Sequence, residues 1–145
     1  MILRGRYENE AGILRPYISG FVYSSRGVWL EYAFLVDSGA DVTFLHYGSL
    51  DELAIDTSNL EVYDDVGGVG GKDVPYIKFS SKLQFISGED VKVFKGDINI
   101  FLDPHATDVP LLGRDVLDHF AVLLDCRTSQ VLLLDEMAKY RVNER

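Results

Sequence analysis

The sequence predicts an all-β domain, and three observations carry that expectation. From Pro75 onward apolar and polar residues alternate, with Ile77, Phe79, Leu83 and Phe85 on one face and Lys78, Ser80, Lys82 and Gln84 on the other. That is the period of a half-solvated antiparallel strand. Turn chemistry recurs between apolar runs at Ser24-Ser25-Arg26-Gly27, Ser87-Gly88-Glu89-Asp90 and Arg127-Thr128-Ser129-Gln130, the punctuation of β-hairpins. The third observation is the stretch Phe34-Leu35-Val36-Asp37-Ser38-Gly39-Ala40-Asp41-Val42-Thr43-Phe44-Leu45, where an acid ends one apolar run just before another begins.

Taken in order, residues 1–16 are weakly patterned and are expected to form an N-terminal arm or a first edge strand, ahead of a core over about 17–134. Pro16 to Tyr23 and Val28 to Val36 flank the first turn as a hairpin. In the second arm only Glu31 breaks the apolar run, as expected for a strand covered on both faces. Asp37 then lies at the end of a central strand. Ser49-Leu50-Asp51-Glu52 fits the Ser-x-x-Glu capping box and predicts a helical turn through Ala54. Leu60 to Tyr63 reads as a strand, and Val91 to Leu102 as the return partner of the strand from Pro75. Val109 to Leu112 is an aliphatic strand that meets Gly113 and passes into a short helix, with Val116, Leu117 and Phe120 on one face. A final hairpin pairs Ala121 to Asp125 with Val131 to Leu134, and residues 135–145 form a charged tail. Gly39-Ala40-Asp41 and Gly113-Arg114-Asp115 both follow apolar strands, which hints at a weak internal duplication.

Asp37 is the chemically unusual residue. An isolated carboxylate buried among Leu35, Val36 and Ala40 would be unfavourable, so its surroundings must neutralise, pair or hydrogen-bond it. Carboxyls held in that way mark acid/base chemistry. The competing interpretation is a plain Asp-Ser-Gly turn, in which Asp and Ser bond nearby backbone and Gly accepts positive φ. The apolar runs on both sides favour the first.

Composition bounds the function. The 145 residues, 47% hydrophobic, suffice for one domain with a core. A net charge of −9 argues against a nucleic-acid partner, which would require a basic face. No apolar run approaches the roughly 18 residues of a membrane span, and the first ten residues contain no apolar core of a secretory signal. Cys126 is the single cysteine, so no internal disulfide forms and a cytoplasmic setting is expected. Asp103, His105 and Asp108 are better explained as an Asp-Pro turn with a lone histidine than as metal ligands. No metal or cofactor is expected.

The cluster Gly67-Gly68-Val69-Gly70-Gly71-Lys72 is not a phosphate loop. A Walker motif would need glycine at position 66 and Ser or Thr where Asp73 stands. Glycines around one valine suit a hairpin tip, and such a tip can close over a bound peptide.

Three segments in order, Asp37-Ser38-Gly39-Ala40-Asp41, the glycine cluster, and Leu111-Leu112-Gly113-Arg114-Asp115-Val116-Leu117, resemble the retropepsin-like aspartic proteases over about Tyr17 to Leu134. The resemblance implies a closed β-barrel or sandwich with a glycine-rich flap hairpin and one short helix near the C-terminus. It implies that Asp37 is the catalytic aspartate, that the Ser38 hydroxyl locks two active-site loops together, and that Gly39 lets substrate backbone lie close. Gly67, Gly68, Val69, Gly70 and Gly71 would form the flap. Arg114 would pair with Asp41, with Ala40, Gly113 and Asp115 supporting the loop, and Phe44, Val109 and Leu111 would line side-chain pockets.

Peptide hydrolysis by this route needs two carboxyls about 3 Å apart sharing a proton. The chain carries one Asp-Ser-Gly, so the resemblance implies a symmetric homodimer acting on a polypeptide, with Asp37 of each protomer at the two-fold axis. Serine-hydrolase chemistry competes poorly, because Ser38 lacks a Gly-x-Ser-x-Gly setting and no motif links it to His46, His105 or His119. The opposing class of function is a non-catalytic dimeric module that binds extended peptides by strand addition.

Overall fold

The structure is a computed structural model that describes residues 1–67 and 73–136. The expected flap residues Gly68, Val69, Gly70 and Gly71 lie outside the described residues, as does the tail from 137 on. In chain order the elements are β1 (Ile2–Glu10), β2 (Ile13–Tyr23), β3 (Trp29–Val36), β4 (Phe44–Leu45), α1 (Ser49–Glu52), β5 (Val62–Gly67), β6 (Asp73–Ser87), β7 (Asp90–Phe101), β8 (Leu111–Leu112), α2 (Arg114–Leu117), β9 (Ala121–Asp125) and β10 (Gln130–Leu134). The all-β expectation holds.

The strands form one sheet in the order β5-β6-β7-β4-β8-β3-β2-β1-β10-β9, and a further pairing of β6 with β2 closes part of it on itself. That pairing sets Phe21 opposite Gln84 and Val22 opposite Leu83. The ring β2-β3-β8-β4-β7-β6 is therefore a closed barrel, and closure removes the edges that an open sheet would expose. Alternate residues of these strands point inward. Val22, Phe34, Leu45, Phe85, Ile100 and Leu112 are fully buried there, each contributing about 1.5–3 kcal/mol relative to exposure. The rings of Phe34 and Phe85 meet at 6.5 Å.

Two neighbours in the ring position the site. β3 and β8 run parallel, with Leu35 opposite Leu111 and Val36 opposite Leu112. The two similar segments noted in the sequence thus lie side by side, and both leave the barrel at the same end. β4 is wedged between β8 and β7, with Phe44 opposite both Leu111 and Asn99.

Of the two expectations for residues 1–16, an arm or a first edge strand, residues 2–10 form a strand, and it lies within the sheet order rather than at its edge. β1 pairs with β10 through Ile2 to Gly5 and then with β2 through Arg6 to Glu10, and Leu3 is buried. The switch of partner falls at Gly5, where a Cβ would lie 2.0 Å from the Tyr17 carbonyl oxygen. Only glycine lets the two backbones approach so closely. The capping box at Ser49 is not formed. Gly48 is the N-cap, with no side-chain cap bond, and the Ser49 hydroxyl donates to the His46 carbonyl at 2.6 Å. α2 matches its expected place, and Val116 and Leu117 are buried against the barrel. Among the described residues no helix is long and apolar enough to cross a membrane.

Candidate active site

The loop after β3 and the segment after β8 are held together by hydrogen bonds that cross in both directions. Leu35 N–H donates to the Pro110 carbonyl at 2.9 Å, and Asp37 N–H to that of Leu112 at 3.1 Å. In return Arg114 N–H donates to the Ala40 carbonyl at 2.9 Å and Asp115 N–H to that of Asp41 at 3.1 Å. Thr43 completes the set: its hydroxyl donates to Asp115 Oδ1 at 2.7 Å and accepts the Gly113 N–H at 3.1 Å. A Cβ on Gly113 would stand 2.4 Å from the backbone of Val42, so the two segments touch backbone to backbone.

The Arg114 guanidinium donates to Asp41 Oδ1. Both side chains are more than half exposed, and an exposed pair of this kind adds little to stability. Its effect is positional, fixing the direction of the helix side chain relative to the loop.

Asp37 is half-buried at the end of β3, less enclosed than the sequence suggested. Successive side chains of a strand point to opposite faces, so Leu35 and Val36 flank the strand without surrounding the carboxylate. Asp37 Oδ1 accepts the Gly39 N–H at 3.0 Å, and its carbonyl accepts Ala40 N–H at 3.2 Å. The turn chemistry of Asp-Ser-Gly is therefore real, and it aims the carboxylate. Ser38 and Gly39 are exposed on the outside of this turn.

The carboxylate opens onto a cavity of about 490 Å³. Phe44 and Phe101 line it and stack on each other at 4.3 Å; Tyr76 meets Phe44 edge-on at 5.3 Å and stacks on Tyr63 at 5.6 Å. Val66 and Val74 bring the β5–β6 pair over it, and Leu111 and Val42 complete the apolar surface. Gly67, at the end of β5, also faces the cavity. Asp65 also lines it, its carboxylate accepting the Tyr76 hydroxyl. That bond pushes the Tyr76 phenol up to about 12, with burial adding to the effect.

Asp37, Gly39, Ala40, Asp41, Phe44 and Leu111 thus meet at one cavity. Gly113, Arg114 and Asp115 lie behind the loop, and Val109 is half-buried in the segment leading to β8 and does not line the cavity. Asp103 Oδ1 accepts the His105 N–H at 2.8 Å, the local turn expected there. Among the described residues no group of three or more His, Cys, Asp or Glu side chains is placed to hold a metal ion. Sequence reasoning missed Thr43, Asp65, Tyr76 and Phe101. A hydroxyl between Val42 and Phe44 was the available signal for Thr43, whereas strand pairing alone brings Asp65 and Phe101 to the cavity and Tyr76 against both Asp65 and Phe44.

No protein-family model matches the sequence, and no curated protein matches it. Solved structures do. The EIAV protease complexed with the inhibitor HBY-793 is 24% identical over 72% of this chain and 86% of its own, with a TM-score of 0.44. The retroviral protease-like domain of Ddi1 from Leishmania major is 13% identical over 83% and 94%, with a TM-score of 0.42. A retropepsin-like aspartic protease from Rickettsia conorii is 20% identical over 92% of this chain and 91% of its own, with a TM-score of 0.58. At that similarity over nearly both whole chains, the protein has the retropepsin-like fold.

Proposed function

We propose that the chain is one half of an aspartic endopeptidase that works as a symmetric homodimer, with Asp37 of each protomer forming the catalytic pair. The observation that carries this reading is the placement of Asp37: a carboxylate aimed by its own turn, at the mouth of an apolar cavity, with no second carboxyl hydrogen-bonded to it among the described residues. Asp41 is engaged by Arg114 and Asp65 by Tyr76. A second chain supplies the missing group.

In the pair one Asp37 is ionised and the other protonated, because two carboxylates about 3 Å apart cannot both ionise. The ionised carboxylate takes a proton from a water whose oxygen attacks the scissile carbonyl carbon. The protonated one gives its proton to the carbonyl oxygen, and the tetrahedral intermediate collapses as the amide nitrogen receives a proton and the C–N bond breaks. A carboxylic acid and an amine leave, and no covalent enzyme intermediate forms.

Gly39 fits this role twice, since its N–H holds the Asp37 carboxylate and its missing side chain leaves room for substrate backbone. Ser38, exposed beside Asp37, is the residue that reaches the partner's loop. Phe44 and Leu111 receive apolar substrate side chains. The paired strands β5 and β6, which bring Val66, Gly67 and Val74 to the cavity, serve as the flap. Exposed Cys126 suits a reducing compartment, and we assign the protein to the cytoplasm.

The test is cleavage of a denatured protein from pH 3 to 7 by the wild type and by Asp37→Asn, with and without pepstatin. A bell-shaped activity absent from the variant supports the reading. No turnover at any pH by a confirmed dimer contradicts it and leaves a peptide-binding module.

A further inference from the structure

Among the described residues, the cavity beside Asp37 is walled by apolar residues and its only charged lining groups are the carboxylates Asp37, Asp41 and Asp65. Two of these are accounted for, Asp37 by the proposed chemistry and Asp41 by its guanidinium partner. Asp65 has neither role. It bonds only the neutral Tyr76 hydroxyl, and among the described residues no cationic group lies within 4.0 Å of it.

Asp65 is also held in place. Tyr76 is 5% exposed and is fixed between the Tyr63 and Phe44 rings. Its hydroxyl therefore sets the direction of the carboxylate, and one hydroxyl leaves most of the acceptor capacity of a carboxylate unused. Val66, Val74, Phe44 and Phe101 line the same cavity. Apolar and aromatic walls together with an anion are what an arginine or lysine side chain complements, with its apolar stem and cationic head. The aromatic lining favours the same ligand.

We propose that this cavity takes an arginine or lysine side chain of a polypeptide, and that Asp65 selects its charge. The inference rests on the reading of the cavity as a polypeptide site, and it goes beyond the apolar preference that Phe44 and Leu111 imply. The net charge of −9 draws cationic peptides to the surface as a whole, so the test must separate local selection from general attraction.

Binding of fluorescein-labelled short peptides to the full-length Asp37→Asn protein makes that separation without needing turnover. Arginine, its neutral isostere citrulline, or norleucine is placed at each position in turn of an otherwise constant peptide. At one position the arginine peptide binds about tenfold tighter than the citrulline peptide. Adding Asp65→Asn brings that ratio close to one. Adding Asp90→Asn, which removes the same charge at the far β6–β7 turn, leaves it in place. The proposal is overturned if no position discriminates, if discrimination survives Asp65→Asn, or if Asp90→Asn erodes it equally. An Asp65-dependent preference in a protein whose wild type cleaves nothing supports the proposal and defeats the peptidase reading. Cleavage by the wild type with no such preference does the reverse.

Discussion

Thr43 joins the two halves of the site: its hydroxyl donates to Asp115 Oδ1 at 2.7 Å while accepting the Gly113 N–H at 3.1 Å. Thr43 is 4% exposed, so water cannot replace either bond. Thr43→Val leaves a buried N–H without a partner, and the expected loss is about 1–3 kcal/mol in urea unfolding. Thr43→Ser keeps the hydroxyl and restores most of it. In a cleavage assay kcat falls in the valine variant and recovers in the serine variant, because the clasp positions the Asp37 loop.

Gly113→Ala tests the backbone contact. The added Cβ would meet Val42 at 2.4 Å, and since the neighbour is backbone it cannot swing away. A loss of about 3 kcal/mol or more is expected in chemical denaturation. A near-wild-type midpoint would show that the two segments do not pack as closely as described.

A third prediction concerns pH. The Tyr17 hydroxyl and then Arg15 hold the Glu10 carboxyl below its ordinary value of 4.5. The Tyr17 phenol is pushed up to about 12 by burial and by Glu10. A lowered carboxyl contributes stability above its unfolded pKa and loses it as pH falls through the folded one; a raised phenol contributes below 10 and loses it as pH climbs toward 12. The pair therefore stabilises the β1–β2 hairpin between about pH 5 and 10. Tyr17→Phe lowers the melting temperature by a few degrees at pH 7, and its difference from wild type narrows as pH drops below 4.5.

Charge governs assembly in the proposed dimer. Two chains of −9 bring −18 together, a repulsion that salt screens. Sedimentation at neutral pH across a salt series is expected to show tighter association as salt rises. Weakening with salt would mean that ion pairs between the protomers dominate over net charge.

How legible the molecule was depended on whether the cause was local. Asp37, Gly39 and Arg114 stood out because each motif is a few residues long and sits at a strand end. The parallel placement of β3 and β8 was faintly visible in the repeated Gly-x-Asp. β1 was legible only as one of two alternatives, because Gly5 and Asn9 stand where its alternation calls for apolar residues and because it divides its pairing between two strands. Ser49 matched a capping pattern that a helix starting one residue earlier does not use. Thr43 and Asp115 are 72 positions apart, and the Asp65–Tyr76 bond spans the hairpin. Such contacts are set by register, which no short motif records.

The central claim is that each active site uses one Asp37 from each of two chains, and subunit mixing tests it most directly. Asp37→Asn protein is equilibrated with wild type at fixed total concentration, and activity is followed as the wild-type fraction falls. The account predicts activity proportional to the square of that fraction, about one quarter at equal mixing, since only wild-type homodimers carry two carboxyls. Activity falling in simple proportion to the fraction would show that one chain holds a complete site, and would contradict it.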